Sequence, residues 1–161
     1  MSEFLSDRLP EVCIAAFNGR ELEKKFGDTY LLLTADPDGT PRPCMLSAGE
    51  VLSLGDRTIR LALWTGSHTV ANLARGARCV ICFVAPATVL YIKGIPRRLA
   101  LRPEAGLEYF EIRVERVDSD VHVGMPVTQG IRFTSEAEPK DSVIKAWQKI
   151  LNELREVEQE I

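Results

Sequence analysis

Between residues 28 and 134 apolar side chains recur at strand spacing, and a single short helical segment, near residues 67–75, interrupts them. "TYLLLTADPDGTPRPCMLSAGEVLSL" carries Asp36-Pro37-Asp38-Gly39, a turn signal between two strand-like runs. Gly55-Asp56 marks the next turn. In "TIRLALWT" Ile59, Leu61 and Leu63 alternate with Arg60, Ala62 and Trp64, the pattern of a half-buried strand. "RCVICFVAP" and "TVLYIKGIPRRLAL" read as two strands separated near Pro86, with Gly94 and Pro96 at positions where a bulge or a sheet edge tolerates them. "GLEYFEIRVERVDSD" supplies another strand through Phe110, Ile112, Val114 and Val117, and a last one lies at Ile131 to Phe133.

One short helix among about six or seven strands argues against repeated βαβ units. The pattern predicts a mainly β chain, an antiparallel barrel with appended helices. A helix is predicted after Pro10, with Val12, Cys13, Ala16 and Phe17 as its apolar stripe and Gly19 at its end. "RELEKKFG" adds a short turn ending at Gly27. From Lys140, residues Val143, Trp147, Ile150, Leu151 and Leu154 recur at helical spacing opposite a charged face. The expected organisation is a single domain over 1–161, with the barrel at about 28–134 and the C-terminal helix at about 140–158.

Bulk properties narrow the function classes. The net charge is -3 and there is no basic run, so electrostatics do not favour nucleic-acid binding. No apolar run reaches the ~18 residues of a membrane span. "MSEFLSDRLPEV" has no basic and apolar signal-peptide pattern, and a cytoplasmic location is the expectation. Cys13, Cys44, Cys79 and Cys82 are too few and too scattered for a secreted disulfide framework. Cys79 and Cys82 form a C-x-x-C, but within a strand, where residues three apart face opposite sides. The second half of a zinc site is missing. These cysteines read as small core residues.

The stretch most suggestive of chemistry is "LWTGSHTVANL", residues 63–73. A strand ends, Gly66 turns the chain, and a short helix begins at Ser67-His68-Thr69. Ser67 suits an N-cap, Val70, Leu73 and Ala74 share a face, and Gly76 suits the C-terminal stop. Helix starts leave unpaired N–H groups and a positive partial charge. With Thr65, Ser67 and Thr69 as hydroxyl donors and Gly66 allowing close approach, the turn is either a plain cap or a cradle for an anion.

"RLALWTGSHTVANLARGARCVICFV" and the order of the elements resemble the pyridoxamine 5'-phosphate oxidase-like, FMN-binding split-barrel superfamily. The matching features are the aromatic-Thr pair Trp64-Thr65 at a strand end, the serine turn, Asn72-Leu73 in the short helix, and a following strand. "DPDGTPRPCMLS" resembles the family's first hairpin, and the likeness spans about residues 28–134. It implies an antiparallel split β-barrel and FMN held noncovalently at a homodimer interface. By position, Thr65, Ser67, His68, Thr69 and Asn72 lie near the phosphate end. Met45, Leu46 and Ser47 run beside the isoalloxazine ring, with Trp64 able to stack on the flavin or to serve as a core or dimer contact.

The chain departs from the family pattern where many members carry Arg-Lys after the serine, since His68 and Thr69 stand there. Arg75, Arg78, Lys93, Arg97 and Arg98 are the cations that could compensate. The Arg-rich C-terminal segment of the pyridoxal phosphate-forming oxidase is also absent, so that reaction is not expected. The resemblance leaves open a flavin-dependent oxidoreductase of unknown substrate and electron donor, a non-enzymatic flavin-binding or sensor module, and a relative using deazaflavin or haem. No residue is assigned as catalytic. His122 with Asp118 and Asp120 reads as a solvated loop rather than a metal site. The cluster Lys93, Arg97 and Arg98 fits either a solvated edge strand or an anionic ligand.

Overall fold

The computed structural model describes residues 1–99 and 106–157. Its chain order is β1 (Glu3–Ser6), α1 (Glu11–Ala16), β2 (Asp28–Ala35), β3 (Pro41–Ser47), β4 (Val51–Ser53), β5 (Thr58–Trp64), α2 (His68–Ala74), β6 (Cys79–Ala85), β7 (Thr88–Arg98), β8 (Leu107–Ser119), β9 (Ile131–Arg132) and α3 (Lys140–Glu156). Residues 100–101 of the strand expected at 88–101 and residue 158 of the expected last helix lie outside the described residues.

All described strand pairs are antiparallel, in the order β3-β2-β6-β7-β8-β5-β4, with β1 added to β8 and β9 to β2. This curled sheet with one inserted helix and helices near both ends is the antiparallel split β-barrel that the family resemblance implied. The Asp36–Gly39 turn joins β2 and β3 in the register Thr34↔Arg42, and Gly39 takes the left-handed φ of +87° that the turn requires.

Gly94 also has a steric reason. The β7–β8 register shifts between Lys93 and Gly94, and a Cβ on Gly94 would lie 2.4 Å from Ile112 Cγ2 and 2.7 Å from the Arg113 carbonyl oxygen. Beyond Gly94, β7 has run past the first residue of β6 and, among the described residues, pairs only with β8, so Pro96 falls where its missing N–H is tolerated.

Three local expectations change. Val12 is exposed, while α1 packs through Cys13, Ala16 and Phe17 as expected, with Ile14 added. β5 is not half-buried: Ile59, Arg60, Leu61, Ala62 and Leu63 are all buried. The reason is α3, which lies over β4 and β5 and buries Ile144, Trp147, Leu151 and Leu154. Arg60 Nη1 donates to the carbonyls of Leu154 (2.8 Å) and Val157 (3.0 Å), at the C-terminal end of α3, while its Nε reaches Glu111 at 3.1 Å. A cation is favourable there because the last carbonyls of a helix are unpaired and carry negative partial charge. Finally, β1 was not anticipated; it is short, exposed and held by β8.

Burial pushes the Cys13 and Cys79 thiols up to about 12, in keeping with small apolar core residues. Among the described residues, no helix is long and apolar enough to cross a membrane.

Candidate functional site

The β5–α2 turn is built locally. Gly66 has a φ of +78°, Ser67 is extended, and its Oγ accepts from the Val70 amide at 3.2 Å. Ser67 is therefore an N-cap. Val70 and Leu73 anchor α2 in the core. The first-turn amides of His68 and Thr69 have no acceptor within the helix, as at any helix start. Thr69 is buried.

Asn72 is 2% exposed and ties α2 to the β2–β3 hairpin. Its amide nitrogen donates to Thr34 Oγ1 at 3.0 Å and to Asp36 Oδ1 at 2.8 Å. Its oxygen accepts from Arg75 Nη2 at 2.9 Å, and the same nitrogen donates to the Ala35 carbonyl at 3.0 Å. Arg42 grips Asp36 with two bonds, both 2.7 Å, from Nε and Nη2. The Arg42 guanidinium, then the Asn72 amide, hold the Asp36 carboxyl at about 2, and the nearby His68 pulls in the same direction. Asp36, Arg42, His68, Asn72 and Arg75 line one open cavity of about 480 Å³.

The expected site residues divide by placement. His68 and Asn72 line this cavity, and Ser67 and Thr69 form its neighbouring helix turn. Thr65 and Trp64 are exposed at the end of β5, Trp64 at 68%. Met45 is exposed at 63% on β3, whereas the Leu46 side chain is in the core. Ser47 donates from its amide (2.7 Å) and hydroxyl (2.9 Å) to Glu50 Oε2, closing the β3–β4 turn.

The five candidate cations separate as well. Arg78 pairs with Glu115 at 3.1 Å and Lys93 with Asp118 at 2.7 Å. Arg97 pairs with Glu111 and Arg98 with Glu108. Arg75 is the member of this set that lines the His68 cavity, and it forms no ion pair among the described residues. Asp36 and Arg42 were missed by sequence reasoning. Their signal was the hairpin itself: the turn at 36–39 folds β3 back so that Arg42 lies opposite Thr34, within reach of Asp36.

No protein-family model matches the chain. Among solved structures, it resembles a candidate pyridoxamine 5'-phosphate oxidase of Lactobacillus delbrueckii (TM-score 0.55, 16% identity, 73% of this chain and 98% of that one). It also resembles HupZ of Group A Streptococcus (0.53, 13%, 78% and 99%). A third is a Clostridium acetobutylicum protein related to general stress protein 26, of the pyridoxinephosphate oxidase family (0.51, 13%, 74% and 96%). At these identities the likeness defines the fold, a split barrel of the pyridoxamine 5'-phosphate oxidase type. Closer in sequence is the uncharacterized protein YclD of Bacillus subtilis, 30% identical over 155 residues that cover 94% of this chain and 96% of YclD. The chain belongs to the same family as YclD, and it shares the split-barrel fold of these solved structures.

Proposed function

We propose that this chain binds FMN noncovalently as a homodimer and acts as a flavin-dependent oxidoreductase. The observation that carries the reading is Arg75. Asn72 and the Ala35 carbonyl hold its guanidinium at the cavity that His68 also lines, and among the described residues it has no carboxylate partner. In this reading Arg75 takes the place of the basic pair missing after Ser67. Thr65, Ser67, His68 and Thr69 supply hydroxyls and amides to the phosphate end, while Asn72 acts through Arg75.

The donor set suits a phosphate, which pairs well with a guanidinium and with hydroxyl and backbone N–H groups. The strand Met45-Leu46-Ser47 offers its outer face and backbone to the ring, and exposed Trp64 offers a stacking surface. Apolar side chains left in water, among them Met45, Trp64, Val123 and Met125, fit a dimer that covers them. When bound, the flavin supplies the hydride or electron chemistry, and the protein supplies binding, orientation and electrostatics.

The test compares FMN with riboflavin, which lacks the phosphate. Arg75→Gln should weaken FMN about ten- to hundredfold, as expected for losing roughly 1.5–3 kcal/mol of charge-assisted hydrogen bonding, and leave riboflavin unchanged. Arg78→Gln, at an ion pair with Glu115, should change neither. Equal losses for both flavins in Arg75→Gln would remove the phosphate assignment.

One observation favours a second reading, a flavin-binding module without turnover. Asp36 places an anion in the same cavity and engages Arg42, which limits the positive field available to a dianion. Steady-state oxidation of NADH or NADPH by the flavin-loaded protein separates the two: turnover supports the enzyme, and binding without turnover supports the module.

A further inference from the structure

A second cavity, of about 420 Å³, lies at the end of the barrel where β2 and β6 meet the segment leading into β9. Interior-facing Tyr30, Phe83 and Ala85 and α1 residue Ala16 line it, and residues 128–132 border it. Nothing in the flavin reading uses it.

The wall of this cavity is fixed by aromatic packing. Tyr30 is 4% exposed, stacks on Phe83 (centroids 5.8 Å apart, planes at 11°) and meets the edge of Phe17 at 4.9 Å. Yet its hydroxyl makes no hydrogen bond to any described residue, nor is that oxygen sealed from solvent. Buried tyrosines usually direct their hydroxyl at a partner. Burial pushes the phenol pKa up, so Tyr30 presents a neutral O–H.

The border is equally determined. The segment is tied at one end by the Ala87 amide donating to the Val127 carbonyl (2.8 Å), and at the other by the Phe133 amide donating to the Gly27 carbonyl (2.9 Å). Gly130 lies so close to β6 that a Cβ there would sit 2.3 Å from the Val84 carbonyl oxygen. At the rim Arg132 is paired with Asp28 and donates to the Phe26 carbonyl at 3.0 Å. The rim charge is thus neutralised within the protein.

We infer that this cavity is a binding site for a neutral, mostly apolar, ring-sized organic molecule whose carbonyl or hydroxyl oxygen hydrogen-bonds Tyr30. An aromatic floor selects the flat apolar body, the phenol fixes its orientation, and the closed Asp28–Arg132 pair disfavours ions. The volume lies within the range of small-molecule sites, about 300–1,000 Å³.

Acetophenone and ethylbenzene, of similar shape but with and without the oxygen, test this by NMR titration of the full-length ¹⁵N-labelled chain without flavin. Acetophenone should give saturable shifts at the amides of 29–31, 83–85 and 128–131. Tyr30→Phe, which keeps the ring, should weaken acetophenone about two- to tenfold, the worth of one neutral hydrogen bond, and leave ethylbenzene unchanged. Ile131→Trp, on the exposed rim, should block both. Absence of saturable shifts at millimolar probe would overturn the inference, leaving a water-filled cavity. So would equal weakening of both probes by Tyr30→Phe, or unchanged binding in Ile131→Trp should Tyr30→Phe fail to fold. Because no flavin is present, the outcome is independent of the FMN reading.

Discussion

Ser67 and Asn72 stand five residues apart on one short helix, yet the physics asks different things of them. Ser67 satisfies one amide of its own helix, so Ser67→Ala should cost about 1 kcal/mol in thermal or urea unfolding. Under the phosphate reading, it should also weaken FMN more than riboflavin. Asn72 is enclosed by Thr34, Asp36 and Arg75. Asn72→Ala should therefore destabilise by about 1–3 kcal/mol through unpaired buried groups, and should weaken FMN by releasing Arg75. His68→Arg restores a cation at the turn and should tighten FMN. Asp36 adds a pH dependence. Its carboxyl is held at about 2 in the folded state against an ordinary 3.8. Its stabilising contribution is thus complete above 3.8 and is lost as pH falls through about 2. Acid unfolding followed by circular dichroism should show a loss in this window that Asp36→Asn flattens. An identical acid limb in the variant would assign the loss to other carboxylates.

At the scale of elements, α3 and the β7–β8 bulge carry the sharpest expectations. Arg60 links the sheet to the carbonyl end of α3, and Arg60→Ala would leave Glu111 with one fewer cation and α3 without its cap. A loss approaching 3–5 kcal/mol, roughly the cost of breaking a buried pair, is expected in denaturant titrations. Gly94→Val should destabilise by at least about 1–3 kcal/mol because the added atoms meet Ile112 and the Arg113 backbone. Little change at Gly94 would mean that the bulge relaxes freely. These same elements mark what the sequence made legible. The hairpin at Asp36–Gly39, the short α2 and the glycine at the bulge all follow from local turn and cap chemistry. The burial of Arg60 did not follow, because it depends on α3 folding back across β5 from nearly a hundred residues away. β1 was equally hidden: its exposed residues carry no alternation, and only pairing with β8 makes them a strand.

For the molecule as a whole, an antiparallel barrel with appended helices was readable from strand spacing and the lone inserted helix, and its split form from the family resemblance, while the candidate site was readable only in part. The serine turn could be found along the chain. The Asp36–Arg42 pair follows from the hairpin's register, whereas the choice of Arg75 among the cations arises from three-dimensional packing of that hairpin on α2, which spacing does not encode. The proposed assembly is testable apart from ligand: light scattering should give about twice the 17.9 kDa chain mass, since closed two-fold dimers are the commonest homo-oligomers. A persistent monomer would remove the second half of the proposed flavin pocket. The central claim is tested most directly by titrating the flavin-free protein with FMN while following visible absorbance and binding heat. The account predicts saturable binding, with the flavin bands near ~450 and ~370 nm shifted from those of free FMN, as expected when a protein environment encloses the cofactor. No heat and no spectral change at high micromolar FMN would contradict it.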